Sequence, residues 1–247
     1  MLHSTQAIIL NTYRYGDSSL ICNLFSKHSG KLSLMAKGAR TIKNPNKAIL
    51  QPSHYIEIEY YYKPKRDLQI LKEASIKNHF NNIKKSYNKL SYTFICLDIL
   101  NKISQIDNPC DIMFRLITRT LDKINTEQEN HNIIYFIFFQ FQLLRYLGYQ
   151  PNLNNCTTCD GSLIKGIYDF QIGHIVCPKC IMHSNNITLD KDTFQLILQF
   201  ENSHINDICK QINPEDNNLK IINQFLINYI SFHVLNILNM KSLKLIN

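Results

Sequence analysis

The first third of the chain consists of short runs in which apolar and polar residues alternate, a pattern typical of half-buried strands. Turn-forming residues such as Gly, Pro, Ser and Asp separate the runs, and the longest connection follows the third run. The predicted strands are residues 6–13, 19–26, 31–36, 54–62 and 68–74. Five short strands with a long connection after the third predict a small, twisted barrel of the oligonucleotide-binding (OB) type, although strand counting leaves other small barrels open.

The pattern changes to helical spacing after residue 78. Apolar residues recur every three or four positions over residues 80–103, and a second helix is predicted to begin near Asp111. The continuous apolar run at 133–139 predicts a buried helix that ends at Gly148, because glycine readily adopts the left-handed conformation that closes a helix. Two later helices are predicted, one capped by Asp190 or Asp192 and one over residues 218–239.

These patterns predict an α+β chain. An N-terminal five-stranded OB-type β-barrel domain is expected over residues 1–78, followed by an all-α helical domain over residues 79–247. A cysteine-rich hairpin module, residues 152–184, is expected to interrupt the helical domain as an insertion.

Two Cys-x-x-Cys motifs, separated by seventeen residues, define that module: Cys156 with Cys159, and Cys177 with Cys180. Each motif directs two sulfurs towards one point, and four thiolates complete the tetrahedral shell of a zinc ion. The gap between the motifs is long enough for a hairpin with strands at 163–170 and 173–176. Four sulfur ligands leave no open coordination position, so the sequence predicts one structural Zn²⁺.

Two disulfides are the alternative interpretation of the same four cysteines. The other four cysteines are scattered singly among apolar residues, no signal peptide is recognisable, and a reducing cytoplasm is the expected context. Zinc is therefore favoured over disulfides. His174 and His183 are close enough in sequence to act as ligands but are expected to be bystanders.

The positive charge of the chain is concentrated near its N-terminus. The formal net charge is +8, and residues 1–80 carry nine Lys, three Arg and five acidic residues, a net charge of +7. Codon bias that inflates lysine would spread the charge evenly, whereas this distribution is uneven. A localised basic surface favours a polyanionic partner, with nucleic acid as the default.

The connection between the third and fourth predicted strands carries four cations and almost no apolar residues: Lys37, Arg40, Lys43 and Lys47. A loop of this kind can place cations along a phosphate backbone without reading bases, although a solvated connection has a similar composition. Five cations at neighbouring turns are expected to extend the same surface: Lys27, Lys31, Lys63, Lys65 and Arg66.

Several kinds of function lack the motifs they need. The sequence contains no GxxxxGK[ST] phosphate loop, no His-Glu-x-x-His motif and no transmembrane run, so a binding protein is favoured over an enzyme or a membrane protein. Arg115 and Arg119 lie one helical turn apart, and both are geometrically able to reach one acidic ligand, although such pairs are usually solvated.

The most distinctive motifs of the N-terminal region are Ala-Lys-Gly-Ala-Arg at residues 36–40 and Leu-Gln-Pro at residues 50–52. With residues 13–26 and Gly30-Lys31, they resemble the N-terminal barrel of the RecO family, bacterial recombination mediators and DNA repair proteins. The order of barrel, helical domain and inserted four-cysteine module is also similar, so the resemblance covers essentially the whole chain. Two departures are Asp17, where the family commonly has Glu, and Asn44, where it often has Ser.

The resemblance implies a barrel that binds single- and double-stranded DNA with little sequence preference and anneals complementary strands. It also implies that the helical domain docks the acidic C-terminal tail of single-strand-binding protein, and that the protein, with RecR, helps RecA to load onto coated DNA. No covalent chemistry is required of such a protein, and its expected location is the cytoplasm, in association with the nucleoid. The four cations of the basic loop match the family's basic loop region, whereas Arg115 and Arg119 as docking residues are a geometric hypothesis only.

Three other functions remain open at this point. An RNA-binding zinc-ribbon protein of translation or ribosome assembly would prefer structured RNA over single-stranded DNA. A metal-dependent nuclease would cleave DNA through an unrecognised site. A purely architectural subunit would have no affinity for DNA.

Overall fold

The computed structural model of the protein describes residues 1–105, 108–213 and 217–246. The chain forms two compact units, Met1–Thr126 and Glu127–Leu245, which are described separately below. The predicted domain boundary after residue 78 falls inside the first unit and stays a prediction. The last residue of the predicted helical domain, Asn247, lies outside the described residues.

The first unit contains the predicted five-stranded barrel, and the OB-type prediction is confirmed. Its strands follow the closed order β1-β2-β3-β5-β4, in which β3 and β5 are parallel and the other neighbours are antiparallel. The strands are β1 (Leu2–Tyr15), β2 (Ser19–Ser26), β3 (Gly30–Ala36), β4 (Tyr55–Tyr61) and β5 (Leu68–Asn78), with a short helix α1 (Asn46–Ile49) between β3 and β4.

Strand β1 is longer than its hydrophobic pattern predicts because its two partners pair with different parts of it. Its first half pairs with β4, from Leu2 to Ile8, and its second half pairs with β2 as far as Tyr15. The two pairings overlap at Ala7 and Ile8, and the register with β2 shifts just beyond, between Ile9 and Asn11. The two ends of β1 therefore mark the two ends of the barrel.

Apolar side chains from all five strands fill the barrel, among them Ala7, Leu24 and Ile58, each at most 1% exposed. The turn from β2 to β3 requires glycine at position 30, which has a φ of +61°. A Cβ atom there would also overlap the backbone carbonyl of Asn108.

Two helices complete the first unit, α2 (Tyr87–Ile103) and α3 (Asp111–Thr126). The prediction of helix from residue 80 was wrong. Phe80 is buried but has a φ of +50°, so the chain is not helical there, and a 3₁₀ turn at Ile83–Lys85 follows. Helix α2 begins only after Ser86, whose hydroxyl accepts the backbone N–H of Lys89 at 3.3 Å.

The second unit contains α4 (Asn132–Leu147), α5 (Lys191–Asn202), α6 (Ile208–Gln211) and α7 (Asn218–His233). Helix α4 ends at Gly148 with a φ of +76°, and Asp190 caps α5, both as predicted. Helix α7 ends before the predicted residue 239, since the side chain of Asn236 accepts the backbone N–H of Leu238 and favours a turn. None of the helices in the described ranges is long and apolar enough to cross a membrane.

A small antiparallel sheet, of order β7-β6-β8, follows α4 in the chain. Strands β6 (Gly166–Asp169) and β7 (His174–Val176) form the predicted hairpin, whereas β8 (Asn186–Leu189) was not predicted. This sheet supports the cysteine cluster.

Candidate metal centre and nucleic-acid interface

The four predicted cysteines meet in space. The sulfurs of Cys156, Cys159, Cys177 and Cys180 all lie within 4.8 Å of one another, and those of Cys159 and Cys177 are 3.8 Å apart. A tetrahedral shell with Zn–S bonds of about 2.3 Å places its sulfurs about 3.8 Å apart. The separation is too long for a disulfide, whose sulfurs lie about 2.0 Å apart. The cluster therefore has the size of a four-thiolate metal site.

Backbone hydrogen bonds shape both Cys-x-x-Cys turns. The N–H of Asp160 donates to the carbonyl of Cys156 at 2.9 Å, and the N–H of Cys180 donates to the carbonyl of Cys177 at 2.9 Å. The N–H of Cys177 also donates to the sulfur of Cys156 at 3.2 Å, which ties the two turns together. The first turn is joined to β7 by the N–H of Thr157, which donates to the carbonyl of Ile175.

Hydrogen bonds within the cluster shift the pKa values of two of its thiols in opposite directions. Burial by itself would raise the pKa of Cys156, but hydrogen bonds from backbone N–H groups, first that of Cys177, lower this pKa to about 6. Hydrogen bonds with Cys177 and Cys159 raise the pKa of Cys180 to about 12. Zn²⁺ binds cysteine as thiolate, so metal binding would release the protons that these thiols hold. Four cysteine sulfurs are a donor set that suits zinc.

The two histidines near the cluster make other contacts. His183 Nδ1 lies 2.8 Å from Oδ2 of the buried Asp169, and the His174 ring packs beside that of His233, with centroids 5.2 Å apart. Burial would raise the pKa of Asp169, but hydrogen bonds, first that from His183, hold it below its usual value. Among the described residues, the metal-sized cluster contains the four cysteines and neither histidine.

The basic loop between β3 and β4 is braced from within. The carbonyl of Gly38 accepts hydrogen bonds from the N–H and the hydroxyl of Thr41, at 3.1 and 2.9 Å, and from the Asn44 side chain at 3.1 Å. The Asn44 side chain also accepts the N–H of Asn46 at 2.9 Å. The loop therefore has a defined shape, on which Lys37, Lys43 and Lys47 are exposed.

Arg40 attaches this loop to the turn between β1 and β2. Its backbone N–H donates to the carbonyl of Ser18 at 2.7 Å, and its guanidinium donates to the carbonyl of Gly16 at 3.1 Å. Gly38 N–H lies 3.4 Å from the hydroxyl of Ser19. The basic loop thus lies at the end of the barrel where β1 finishes.

Two exposed aromatic residues on the same end were not assigned a role by the sequence analysis. Tyr13 and Tyr15 are 53% and 51% exposed, and they pair with Ile21 and Ser19 of β2. The side chain of Leu20 points into the core, so Ser19 and Ile21 on either side of it face outwards. The tyrosines paired with them therefore face outwards as well. The signal in the sequence was the i, i+2 spacing of two tyrosines at the end of a strand, directly before a Gly-Asp turn. The basic loop and these rings together are called the loop face below.

The other predicted cations divide between two places. One group lies in the turns at the opposite end of β1 from the loop face: Lys27, Lys63, Lys65 and Arg66. The N–H of Lys27 donates to the carbonyl of Gln6 at 2.9 Å. The N–H of Tyr62, which directly precedes Lys63, donates to the carbonyl of Met1. The structure thus places eight of the nine cations in two groups of four rather than one, and the ninth, Lys31, lies apart from both.

Lys31 is engaged within the fold. Its ammonium donates to the carbonyl of Asn101 at 2.6 Å, near the end of α2, and burial lowers its pKa. Lys31 thus joins the barrel to α2.

Arg115 and Arg119 are both exposed on α3, one turn apart, as predicted. Arg115 forms an ion pair of 3.2 Å with Asp111. Ile112, 57% exposed, precedes Arg115 by three positions and therefore shares its helix face.

The fold and these sites define a protein with an OB-type barrel that carries a basic loop face, followed by a helical region with a four-cysteine cluster of the size that holds a metal ion. Two family models match the chain: "Recombination protein O N terminal" over residues 1–80 and "Recombination protein O C terminal" over residues 84–244. The chain belongs to the RecO family.

Curated relatives are similar to this chain over different lengths. A "DNA repair protein RecO" of Chloroherpeton thalassium is 32% identical over 66% of this chain and 62% of the relative. The protein of that name from Salinibacter ruber is 31% identical over 60% of this chain and 56% of the relative. A third, from Alkaliphilus metalliredigens, is 26% identical over 99% of this chain and 98% of the relative. The chain thus spans about three fifths of the length of the first two.

Proposed function

We propose that this protein is a DNA repair and recombination mediator that binds single- and double-stranded DNA and anneals complementary strands. The observation that carries the proposal is the loop face, where exposed cations and two exposed tyrosines lie on the same end of an OB-type barrel. Cations on a fixed loop bind the phosphate backbone, and exposed rings stack on unpaired bases. Both interactions tolerate any sequence, as annealing requires.

The proposed activity is an exchange of binding partners and requires no catalytic residue. One Zn²⁺ held by the four cysteines is proposed to brace the sheet β7-β6-β8, because a four-sulfur shell leaves no position for substrate. The proposed location is the cytoplasm, in association with the nucleoid.

Three protein partners are proposed as well: RecR, the C-terminal tail of single-strand-binding protein and, indirectly, RecA. For the tail, α3 offers Arg115 and Arg119 beside the exposed Ile112. Two cations next to an apolar side chain complement a peptide that ends in acidic and apolar residues.

The direct test is annealing of complementary DNA strands coated with cognate single-strand-binding protein, measured by fluorescence energy transfer. We expect annealing with the intact coat protein and a rate at least about tenfold lower when its acidic tail is removed, since the tail would hold the annealing protein at the DNA. Replacing Arg115 and Arg119 together with Ala should produce the same loss on coated DNA and leave annealing of bare DNA unchanged.

Three results would contradict the proposal: no annealing of bare strands, a strong preference for structured RNA, or metal-dependent cleavage of the DNA. If the variant that lacks both Arg115 and Arg119 still anneals coated strands at the original rate, the tail of single-strand-binding protein docks on another surface. Lys84 and Lys85 replaced together with Ala serve as the matched control, because they also remove two cations from the first unit.

The exposed tyrosines lead to a separate prediction. Replacing Tyr13 and Tyr15 with Ala should weaken binding of single-stranded DNA by about 1–3 kcal/mol for each stacked base, and weaken duplex binding much less. Fluorescence anisotropy with a labelled single strand and the matching duplex measures both. Tyr87→Ala, which removes another exposed ring of the first unit, is the control. An equal loss on both DNA forms would mean that the rings do not stack on bases.

A further inference from the structure

The end of the barrel opposite the loop face carries a cavity of about 570 Å³. It lies where β1 begins, beside the β2–β3 turn and the end of β4. Its lining consists of His3, Ser4, His28, Ser29, Tyr60 and Tyr62. Mouths of β-barrels are among the places where proteins commonly bind small ligands.

Every lining side chain offers an imidazole or a hydroxyl, and none offers a carboxylate. Tyr60 forms the floor: it is 1% exposed, and its hydroxyl lies 3.1 Å from that of Ser29. The His3 ring stacks on Tyr62, with centroids 4.7 Å apart and planes 14° apart. Among the residues that the structure describes, the ring nitrogens of His3 and His28 make no hydrogen bond. A cavity that offers donors and no negative charge suits an anion.

Cations occur in both turns that contribute residues to this cavity. Lys27 precedes His28 in the β2–β3 turn, and Lys63 follows Tyr62 in the β4–β5 turn, which also carries Lys65, Arg66 and Asp67. This is the second group of predicted DNA-contacting cations.

The β4–β5 turn is held in a defined shape by one buried side chain. Gln69, 3% exposed, accepts the N–H of Lys63 at 2.8 Å and donates to the carbonyls of Lys63 and Arg66 at 3.0 and 2.6 Å. The order of the turn reduces the entropy that binding would cost.

The cavity is blind, because packed apolar side chains fill the barrel beyond Tyr60. A continuous strand cannot pass through it, whereas a group at a strand end can enter it. We propose that this barrel mouth binds a phosphate monoester, and that the terminal phosphate of a DNA strand occupies it. The proposal rests on the proposed DNA-binding function and adds a second contact, at the opposite end of the fourteen-residue strand β1 from the loop face.

The test compares otherwise identical oligonucleotides that carry a 5′-phosphate, a 3′-phosphate or hydroxyls at both ends. Fluorescence anisotropy, with the dye on the same internal base of each strand, should show about threefold to tenfold tighter binding for at least one phosphorylated strand, as charge-assisted hydrogen bonds are stronger than neutral ones. His28→Ala should abolish this gain and leave binding of the hydroxyl-ended strand unchanged. Ser29→Ala, with a melting curve to check folding, should reduce the gain independently.

His204→Ala is the matched control, since His204 is exposed and lies in the other compact unit. Equal affinity for all three strands overturns the proposal, while tight binding of the hydroxyl-ended strand would show that DNA binding itself stands. A deoxynucleoside monophosphate and inorganic phosphate are added as competitors. If either removes the end preference at the concentration of the oligonucleotide, the natural ligand is a small phosphate, and the assignment to strand ends fails.

Discussion

Cys159→Ser is expected to reduce zinc from one ion per chain to well below one, and to destabilise the segment from Cys156 to Cys180. The serine hydroxyl is a much poorer zinc ligand than thiolate, and three sulfurs leave an open position. Structural zinc contributes about 10–16 kcal/mol of apparent binding energy in zinc-finger peptides, and this energy is available only to the folded form. Cys159 is exposed, so the substitution opens no cavity in the core. Elemental analysis of purified protein, together with limited proteolysis of the segment, measures both effects.

Two controls separate loss of the metal from loss of a cysteine. Cys110→Ser removes a half-buried thiol outside the cluster, and its hydroxyl can still accept the N–H of Met113. This variant should keep its zinc. A chelator should make the unaltered protein as protease-sensitive as Cys159→Ser and change that variant little. Full zinc occupancy in Cys159→Ser would rule out the four-cysteine shell.

Replacing Lys37, Arg40, Lys43 and Lys47 together with Ala is expected to weaken DNA binding regardless of sequence. Each phosphate contact that is lost should flatten the slope of log K against log salt concentration by about 0.7 on single strands and about 0.9 on duplexes. Loss of all four contacts would therefore change the slope by up to about 2.8 on single strands and up to about 3.6 on duplexes. Affinity measured between low and physiological salt, on two unrelated sequences of each DNA form, tests the magnitude and the lack of sequence preference.

The matched control removes the same charge elsewhere, by replacing Lys191, Lys220, Lys241 and Lys244 with Ala. All four are exposed and belong to the second unit. The control should change the salt slope by less than about one unit, because only long-range attraction is reduced. If the loop variant keeps the original slope, the phosphate contacts lie outside the loop face, and the barrel mouth is the next region to vary.

Local signals predicted much of the fold. Gly148 closes α4 and Asp190 caps α5 because each acts on backbone groups within a few residues of itself. Phe80 shows where such signals fail: it has the right spacing for helix α2, but the chain turns there with a positive φ to bury the ring. Strand β8 escaped prediction because four residues are too few for a clear alternation, and its pairing with β6 is decided in three dimensions.

The candidate sites divide in the same way. The spacing of the cysteines was sufficient to predict that all four meet, since each Cys-x-x-Cys turn is a local structure and the hairpin between the turns is short. The placement of the cations depends instead on strand direction, which the sequence does not state. Lys43 and Lys63 lie only twenty residues apart in the chain, yet β4 carries the backbone from one end of the barrel to the other between them.

The sequence by itself therefore determined the five strands, the cluster of four cysteines and the excess of positive charge in the first eighty residues, because alternation, turn chemistry and composition are local properties. The tertiary structure decided how that charge is used. Closure of the barrel places one group of cations beside Tyr13 and Tyr15 and another beside a blind mouth, and packing of α2 engages Lys31 with the carbonyl of Asn101. These outcomes follow from which strands pair and in which direction they run, and that is settled by burial of the whole core rather than by any one segment.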